Sequence, residues 1–303
     1  MEATCAKLPH GQVADLELFI MRFLLTAMST AVAPPSLDDL LARAALVRAG
    51  RGLGAAPPAW PSDALAFASE YVSSEVSGPR GFCNWLVPGA LMLGQYPGES
   101  PIHGPSAAEA RAHVARCAAD ARVGTWVCLQ TEVPAQDDDA AWRAALADGG
   151  GVRLAPPLRE RFPGIFSRYA PLAAAGAPPT APPPDFLRAP IEDLSTPDTS
   201  ALRALLGDLL GALDARAEEA VYMHCWGGRG RAGLVGACLL SLMWPRAEAD
   251  EILGLVQAAY DTRAGAALMP APLQQSPQTE GQRRFVREFV SAVRETASSK
   301  SKD

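Results

Sequence analysis

The rhythm of apolar and polar residues changes near residue 79. Before it the spacing is helical: Leu16, Phe19, Ile20, Phe23, Leu24 and Ala27 fall on one face of an expected amphipathic helix. A second helix is expected from Ser36 to Val47, opened by the capping-box-like pair Ser36 and Asp39. Ala49 to Pro61, rich in Gly, Pro and Ala, reads as a linker. Residues 1–78 thus form a helical N-terminal extension without visible chemistry, expected to pack on the domain beyond it.

Beyond residue 79 short apolar runs alternate with helical patterns. Trp85-Leu86-Val87 and Leu91-Met92-Leu93 flank a Pro88-Gly89 turn and predict a hairpin. Ser106 and Glu109 open a helix running to about Ala121, and the uncharged run Val123 to Leu129 predicts a buried strand. Ala135 to Leu146 reads as a helix, and the proline-dense stretch Arg153 to Asp185 as a loop or insertion. Then come a helix Ser200–Ala217, a strand Ala220–Met223, an apolar helix Ala232–Met243, and helices Ala247–Tyr260 and Thr279–Val293. This alternation predicts an α/β domain over residues 79–296, with a central, mostly parallel sheet flanked by helices. Residues 297–303 read as a polar tail.

Composition narrows the function classes. The chain has 303 residues and a net charge of −6, which excludes the broad basic field of a nucleic-acid binder. Six cysteines are too sparse for a disulfide scaffold, and none has zinc-site spacing with a histidine, so neither a structural metal nor an oxidising compartment is expected. The apolar run Ala232 to Trp244 is shorter than the roughly 20 residues that span a bilayer. Leu16 to Val32 is preceded by Asp15 and carries Glu17, unlike the basic start of a secretory signal. A cytoplasmic chain without a membrane span is expected; an organelle transit peptide stays open, although Glu2, Asp15 and Glu17 count against it. Nothing in the pattern fixes an oligomeric state.

One segment concentrates candidate chemistry: His224-Cys225-Trp226-Gly227-Gly228-Arg229-Gly230-Arg231-Ala232-Gly233, between a strand and a helix. Glycines let the backbone turn so that successive N–H groups face one point. The following helix aims its free amides and positive dipole end there, and the Arg231 fork matches two oxygens of a phosphate. Such a field favours the thiolate of Cys225 over the thiol. An anion cradle with a nucleophile at its base suits covalent phosphate transfer. The plainer alternative is a glycine-rich turn before a packed helix, with Cys225 a small core residue.

These residues resemble the signature of the cysteine-dependent protein tyrosine phosphatase superfamily: His-Cys, five residues, then Arg. The likeness is strongest to dual-specificity-like members of microbial and plant type, which often read His-Cys-Trp-Gly-Gly at this point. Asn84 to Gly89 and Gly94 to Gly98 are similar to that group's leading hairpin, and Pro190 to Asp198 to its mobile general-acid loop. Gln278-Thr279-Glu280-Gly281-Gln282 is similar to the loop whose glutamine positions the hydrolytic water.

The resemblance implies a two-step phosphomonoesterase without metal or organic cofactor. Cys225 attacks phosphorus while Asp193 protonates the leaving oxygen; Asp193, helped by Gln282, then activates water. Trp226, Gly227, Gly228, Arg229, Gly230 and Arg231 would hold the phosphate, with His224 orienting the loop. Asp198 is an alternative acid, or simply a helix cap. Ala232 departs from the family, which usually places there a hydroxyl that stabilises the departing cysteine. Regenerating-liver-type members also carry alanine at this point. Slow breakdown of a phosphocysteine is therefore expected.

A phosphorylated protein is the first expected substrate, and a phosphoinositide or inositol phosphate the second, suggested by Arg229 at the loop rim. Arg159, Arg161 and Arg168 could extend that charge or simply solvate a loop. A phosphate-binding pseudophosphatase is the reading from outside the enzymes. Cys128, at a strand end, is a possible redox partner for Cys225 by analogy with relatives, or a small core residue.

Overall fold

A computed structural model describes residues 33–72, 78–99, 104–131 and 168–299. The expected helices at 16–27 and 135–146, with Arg159 and Arg161, lie outside the described residues. Helix α1 (Leu37–Gly50) starts at Ser36, whose hydroxyl accepts from the Asp39 amide while the Asp39 carboxylate accepts from the Ser36 amide. A single turn, α2 (Ser62–Leu65), precedes strands β1 (Glu70–Val72) and β2 (Pro79–Gly81), which pair antiparallel. This small ribbon lies where helix and linker alone were expected. Its three-residue strands are too short for periodicity to reveal them.

The main sheet has five strands: β3 (Cys83–Val87), β4 (Leu91–Gly94), β5 (Val123–Cys128), β6 (Asp185–Arg188) and β7 (Ala220–His224), in the order β3-β4-β7-β5-β6. Only β3 and β4 pair antiparallel, as the Pro88-Gly89 turn predicts; β4, β7, β5 and β6 are mutually parallel. Strand β7 is central and its side chains alternate between two apolar layers. Val221 and Met223 face one, Ala220 and Tyr222 the other. The sheet is therefore covered on both faces, which is why its parallel strands carry so little charge.

The first layer holds α1, α5 (Thr199–Ala215), α6 (Gly230–Met243), α7 (Ala249–Asp261) and α8 (Glu280–Ser299). Every residue of α6 is buried. Leu40, Ala44 and Val47 of α1 sit in this same core, and Arg51 donates to the carbonyls of Leu213, Arg216 and Glu219 at 2.9–3.2 Å. Trp60 meets Trp244 edge to face at 5.8 Å. The N-terminal segment from residue 37 thus shares the apolar layer of the sheet.

The other layer holds α3 (Ala107–Ala119) and α4 (Ala170–Gly176) with Trp126, Tyr169 and Tyr222. The stretch expected to be an irregular insertion up to Asp185 therefore contains α4 and leads into the edge strand β6, which pairs with β5 from Thr125↔Asp185 to Cys128↔Arg188. Helix α8 also runs to Ser299, through the start of the expected tail. Among the described residues no helix is long and apolar enough to cross a membrane.

Candidate active site

Strand β7 ends at His224, and α6 begins at Gly230, so the loop 225–229 leaves the carboxyl end of the central strand. This is where parallel α/β sheets place ligands. Cys225 is 3% exposed, and Arg231, in the first turn of α6, is 1% exposed. Gly228 has φ +70°, and a Cβ there would lie 2.1 Å from the Gly94 carbonyl carbon. Only glycine suits both the left-handed conformation and the contact with the end of β4. Beside it, the Tyr96 amide donates to the Trp226 carbonyl at 3.1 Å.

The Arg231 guanidinium faces the loop that joins β6 to α5. Nη1 donates to the Ile191 carbonyl at 3.1 Å, and Nη2 lies 3.0 Å from Asp193 Oδ1. The loop's first half is held by sheet-like bonds, Ala189 N–H to Cys128 O and Ile191 N–H to Leu129 O, each 3.0 Å. Its far end is Asp198, whose Oδ1 accepts from the amides of Ser200 and Ala201 at 2.8 and 3.1 Å. A hydrogen bond from the Ser200 side chain, together with those from the Ala201 and Ser200 amides, holds the Asp198 carboxyl below its usual range. Of the two candidate acids, the structure brings Asp193 to Arg231 and uses Asp198 as the N-cap of α5.

Gln282 is fully buried on α8. Its Oε1 accepts from the Thr279 amide and its Nε2 donates to the Ser195 carbonyl, both at 3.1 Å. The Thr279 hydroxyl reaches the Leu194 carbonyl at 3.4 Å, and Leu194 itself has φ +59° with an exposed side chain. The segment 279–282 thus fastens the strained tip of the acidic loop. A Cβ on Gly230 would stand 3.3 Å from Gln282 Oε1, so the same side chain also borders the glycine-rich loop. Arg229 Nε donates to Gln278 Oε1 at 3.2 Å, which ties the rim arginine to this segment as well.

His224 is buried, and its Nε2 shares a 2.8 Å hydrogen bond with the Tyr169 hydroxyl. Burial drives its pKa from 6.5 to about 3, against a smaller upward pull from the Cys225 backbone. It is therefore a neutral positioning group at ordinary pH. Cys128 pairs with His224 in the β5–β7 register and is fully buried, its Sγ accepting from the Gln130 amide at 3.4 Å. Ala232 is fully buried too.

Two neighbours escaped the sequence pattern. Tyr169 sits in the stretch expected to be irregular. Arg263, 7% exposed just beyond α7, donates to Asn84 Oδ1 at 2.6 Å, Leu93 O at 2.8 Å, Gly227 O at 3.1 Å and Gly228 O at 2.7 Å. A buried cation needs this density of acceptors, but no local spacing announces it.

Metal spacing was absent from the sequence, yet the fold gathers Cys83, His113 and Cys117 with ligand atoms within 4.8 Å of one another. Both His113 nitrogens already face hydroxyls, Nδ1 that of Ser69 at 2.8 Å and Nε2 that of Tyr222 at 3.0 Å. Its ring stacks on Phe82 at 4.0 Å. The trio is a packed polar knot behind the sheet, with the imidazole already engaged at both nitrogens.

Comparison with known proteins bears on residues 179–286, which match the family model described as Swiss Army Knife protein, DSP-PTPase phosphatase domain. No curated protein matches the chain. Among solved structures it is similar to a kinase-associated phosphatase carrying serine for its catalytic-site cysteine, at 18% identity and TM-score 0.42, covering 71% of this chain and 94% of that one. It is similar to PTPMT1 in complex with PI(5)P at 12% identity and TM-score 0.40, covering 69% and 95%. A PTP-like phytase from Bdellovibrio bacteriovorus gives 15% identity and TM-score 0.42, covering 76% and 91%. The matched segment carries the glycine-rich loop, Asp193 and Gln282, so this part of the chain is similar to a dual-specificity-like phosphatase domain.

Proposed function

We propose that the protein hydrolyses phosphomonoesters through a phosphocysteine on Cys225, acting on proteins phosphorylated at tyrosine first and at serine or threonine second. The observation that carries this reading is the meeting of two chain segments at Arg231. Its guanidinium lies at the end of the loop that begins with Cys225, and Asp193 stands 3.0 Å away on the loop from β6. An incoming phosphate would take the guanidinium fork, with equatorial oxygens on Arg231 and the amides of residues 226–231. The Cys225 sulfur then displaces the substrate oxygen in line, and the Asp193 carboxyl delivers the proton that oxygen needs. In the second step Asp193 takes a proton from water as it attacks phosphorus and releases the thiolate.

Gln282 enters this reading in two ways. Its amide is engaged at both ends, so holding the acid loop is the role its present bonds support. Positioning the second-step water would require Nε2 to exchange the Ser195 carbonyl for that water. Cys128, in register beside His224, is the proposed partner for a reversible disulfide with Cys225 under peroxide.

An inositol phosphate is the second reading, favoured by Arg229 at the loop rim. Its bond to Gln278 fixes the arginine and leaves the protein substrate first. Release of phosphate by wild type and Cys225→Ser tests the chemistry: the variant should lose essentially all turnover of a generic aryl phosphate. Equal activity in both would falsify the covalent route. Parallel assays with phosphotyrosine peptides and inositol phosphates decide the substrate; faster release from inositol phosphates would put them first.

A further inference from the structure

We infer that Arg263 is a positioning residue for the phosphate-binding loop: it aims the loop's amides from behind. The inference rests on the covalent role proposed for Cys225. Arg263 lies 38 residues beyond Cys225, outside every motif, yet directs three donors to the loop and the strand that seats it. Nη1 and Nη2 hold the carbonyls of Gly227 and Gly228, and Nη2 also holds that of Leu93 at the end of β4. Nε is fixed by Asn84 Oδ1 at 2.6 Å on β3, and the guanidinium lies 5.1 Å from the Tyr260 ring.

A trans peptide is planar, with its C=O and N–H on opposite edges. Pulling the Gly227 and Gly228 oxygens toward Arg263 therefore turns the following amides, those of Gly228 and Arg229, to the other side. One planar side chain thereby orients two consecutive donors of the cradle. The same guanidinium also interacts electrostatically with Cys225, so its positive charge acts on the loop from behind. A lysine would keep the charge but could not span three carbonyls and a side-chain amide oxygen with one planar fork.

The test compares wild type, Arg263→Lys and Arg263→Met in the full chain, with folding checked by circular dichroism. Three quantities are read: kcat and KM on an aryl phosphate, inhibition by vanadate, and the pH dependence of Cys225 alkylation by iodoacetamide. For Arg263→Lys, kcat/KM should fall about 10- to 1000-fold and vanadate binding should weaken with it, as for loss of aimed amide donors. In Arg263→Met the alkylation profile should also move to higher pH. If both variants unfold, Asn84→Ser, which removes the Nε partner along with the Asn84 Nδ2 bond to the Trp85 carbonyl, should give smaller changes in the same direction. Folded variants with wild-type vanadate binding and alkylation overturn the inference. Cys225→Ser retaining full activity would instead overturn the covalent reading on which it rests.

Discussion

Ala232 stands where the phosphatases that this chain resembles usually carry a hydroxyl. Its side chain is fully buried at the start of α6. On the proposed mechanism, a residue 232 without a hydroxyl denies the departing thiolate of the second step a hydrogen bond worth about 1.5–3 kcal/mol to a charged group. That difference corresponds to roughly 10- to 150-fold in rate. Rapid mixing with an aryl phosphate should therefore show a burst followed by slow turnover. Ala232→Ser should raise the steady rate and shrink the burst. A wild-type trace without a burst, limited by the first step, would contradict this.

Single residues also show what local pattern conceals. Cys225, Arg231 and Asp193 could be picked out as candidates because each lies in a motif contiguous in the chain. Arg263 and Tyr169 act through bonds to Gly227, Gly228 and His224, partners that only the tertiary fold brings near. Asp198 was readable either as acid or as cap; its bonds to two amides of the first turn of α5 decide for the cap.

At the scale of elements, the loop between β7 and α6 is shaped by close contact rather than by its own preference. Gly228→Ala would force a side chain into left-handed φ and onto the carbonyl of Gly94. The cost should exceed the roughly 1 kcal/mol of the conformation alone. Denaturant unfolding should show the loss of stability, and vanadate should bind more weakly because the seat against β4 opens. Unchanged binding and stability would mean that the contact relaxes freely.

Elements with strong periodicity or caps, such as α1 after Ser36 and α3 after Ser106, were readable to within a few residues. Strand β6 was not, because prolines at 178–179 and 182–184 dominate its approach and its four residues are ordered by pairing with β5. β1 and β2 failed for the same reason: partner register, not composition, makes them strands.

Among the described residues, the two apolar layers enclose two neutral histidines, one beside the glycine-rich loop and one in the polar knot behind the sheet. Burial lowers His113 and His224 from 6.5 to about 3 each. In the unfolded chain both take up protons near ~6.5, whereas the folded chain resists until near 3. The unfolded state therefore binds more protons throughout that window. Their contribution is complete above the upper value and is lost as pH falls, by up to roughly 1.4 kcal/mol per unit for each histidine. Urea midpoints measured from about pH 7.5 down to 5 should decline steadily below ~6.5. A flat series would show that one or both imidazoles protonate in place.

The strand order has one more consequence, for modularity. Residues 179–286 bear the family signature, yet they supply only β6 and β7, which are not neighbours. Strand β5 lies between them, and β4 closes the other side of β7. Excised, that stretch would expose both edges of its central strand, and Arg263 and Gly228 would lose Asn84 and Gly94. Recognition in sequence and autonomy in folding are thus drawn along different borders. Gene fusion or protein engineering can transplant this chemistry only together with the hairpin and the strand that lie upstream of its signature.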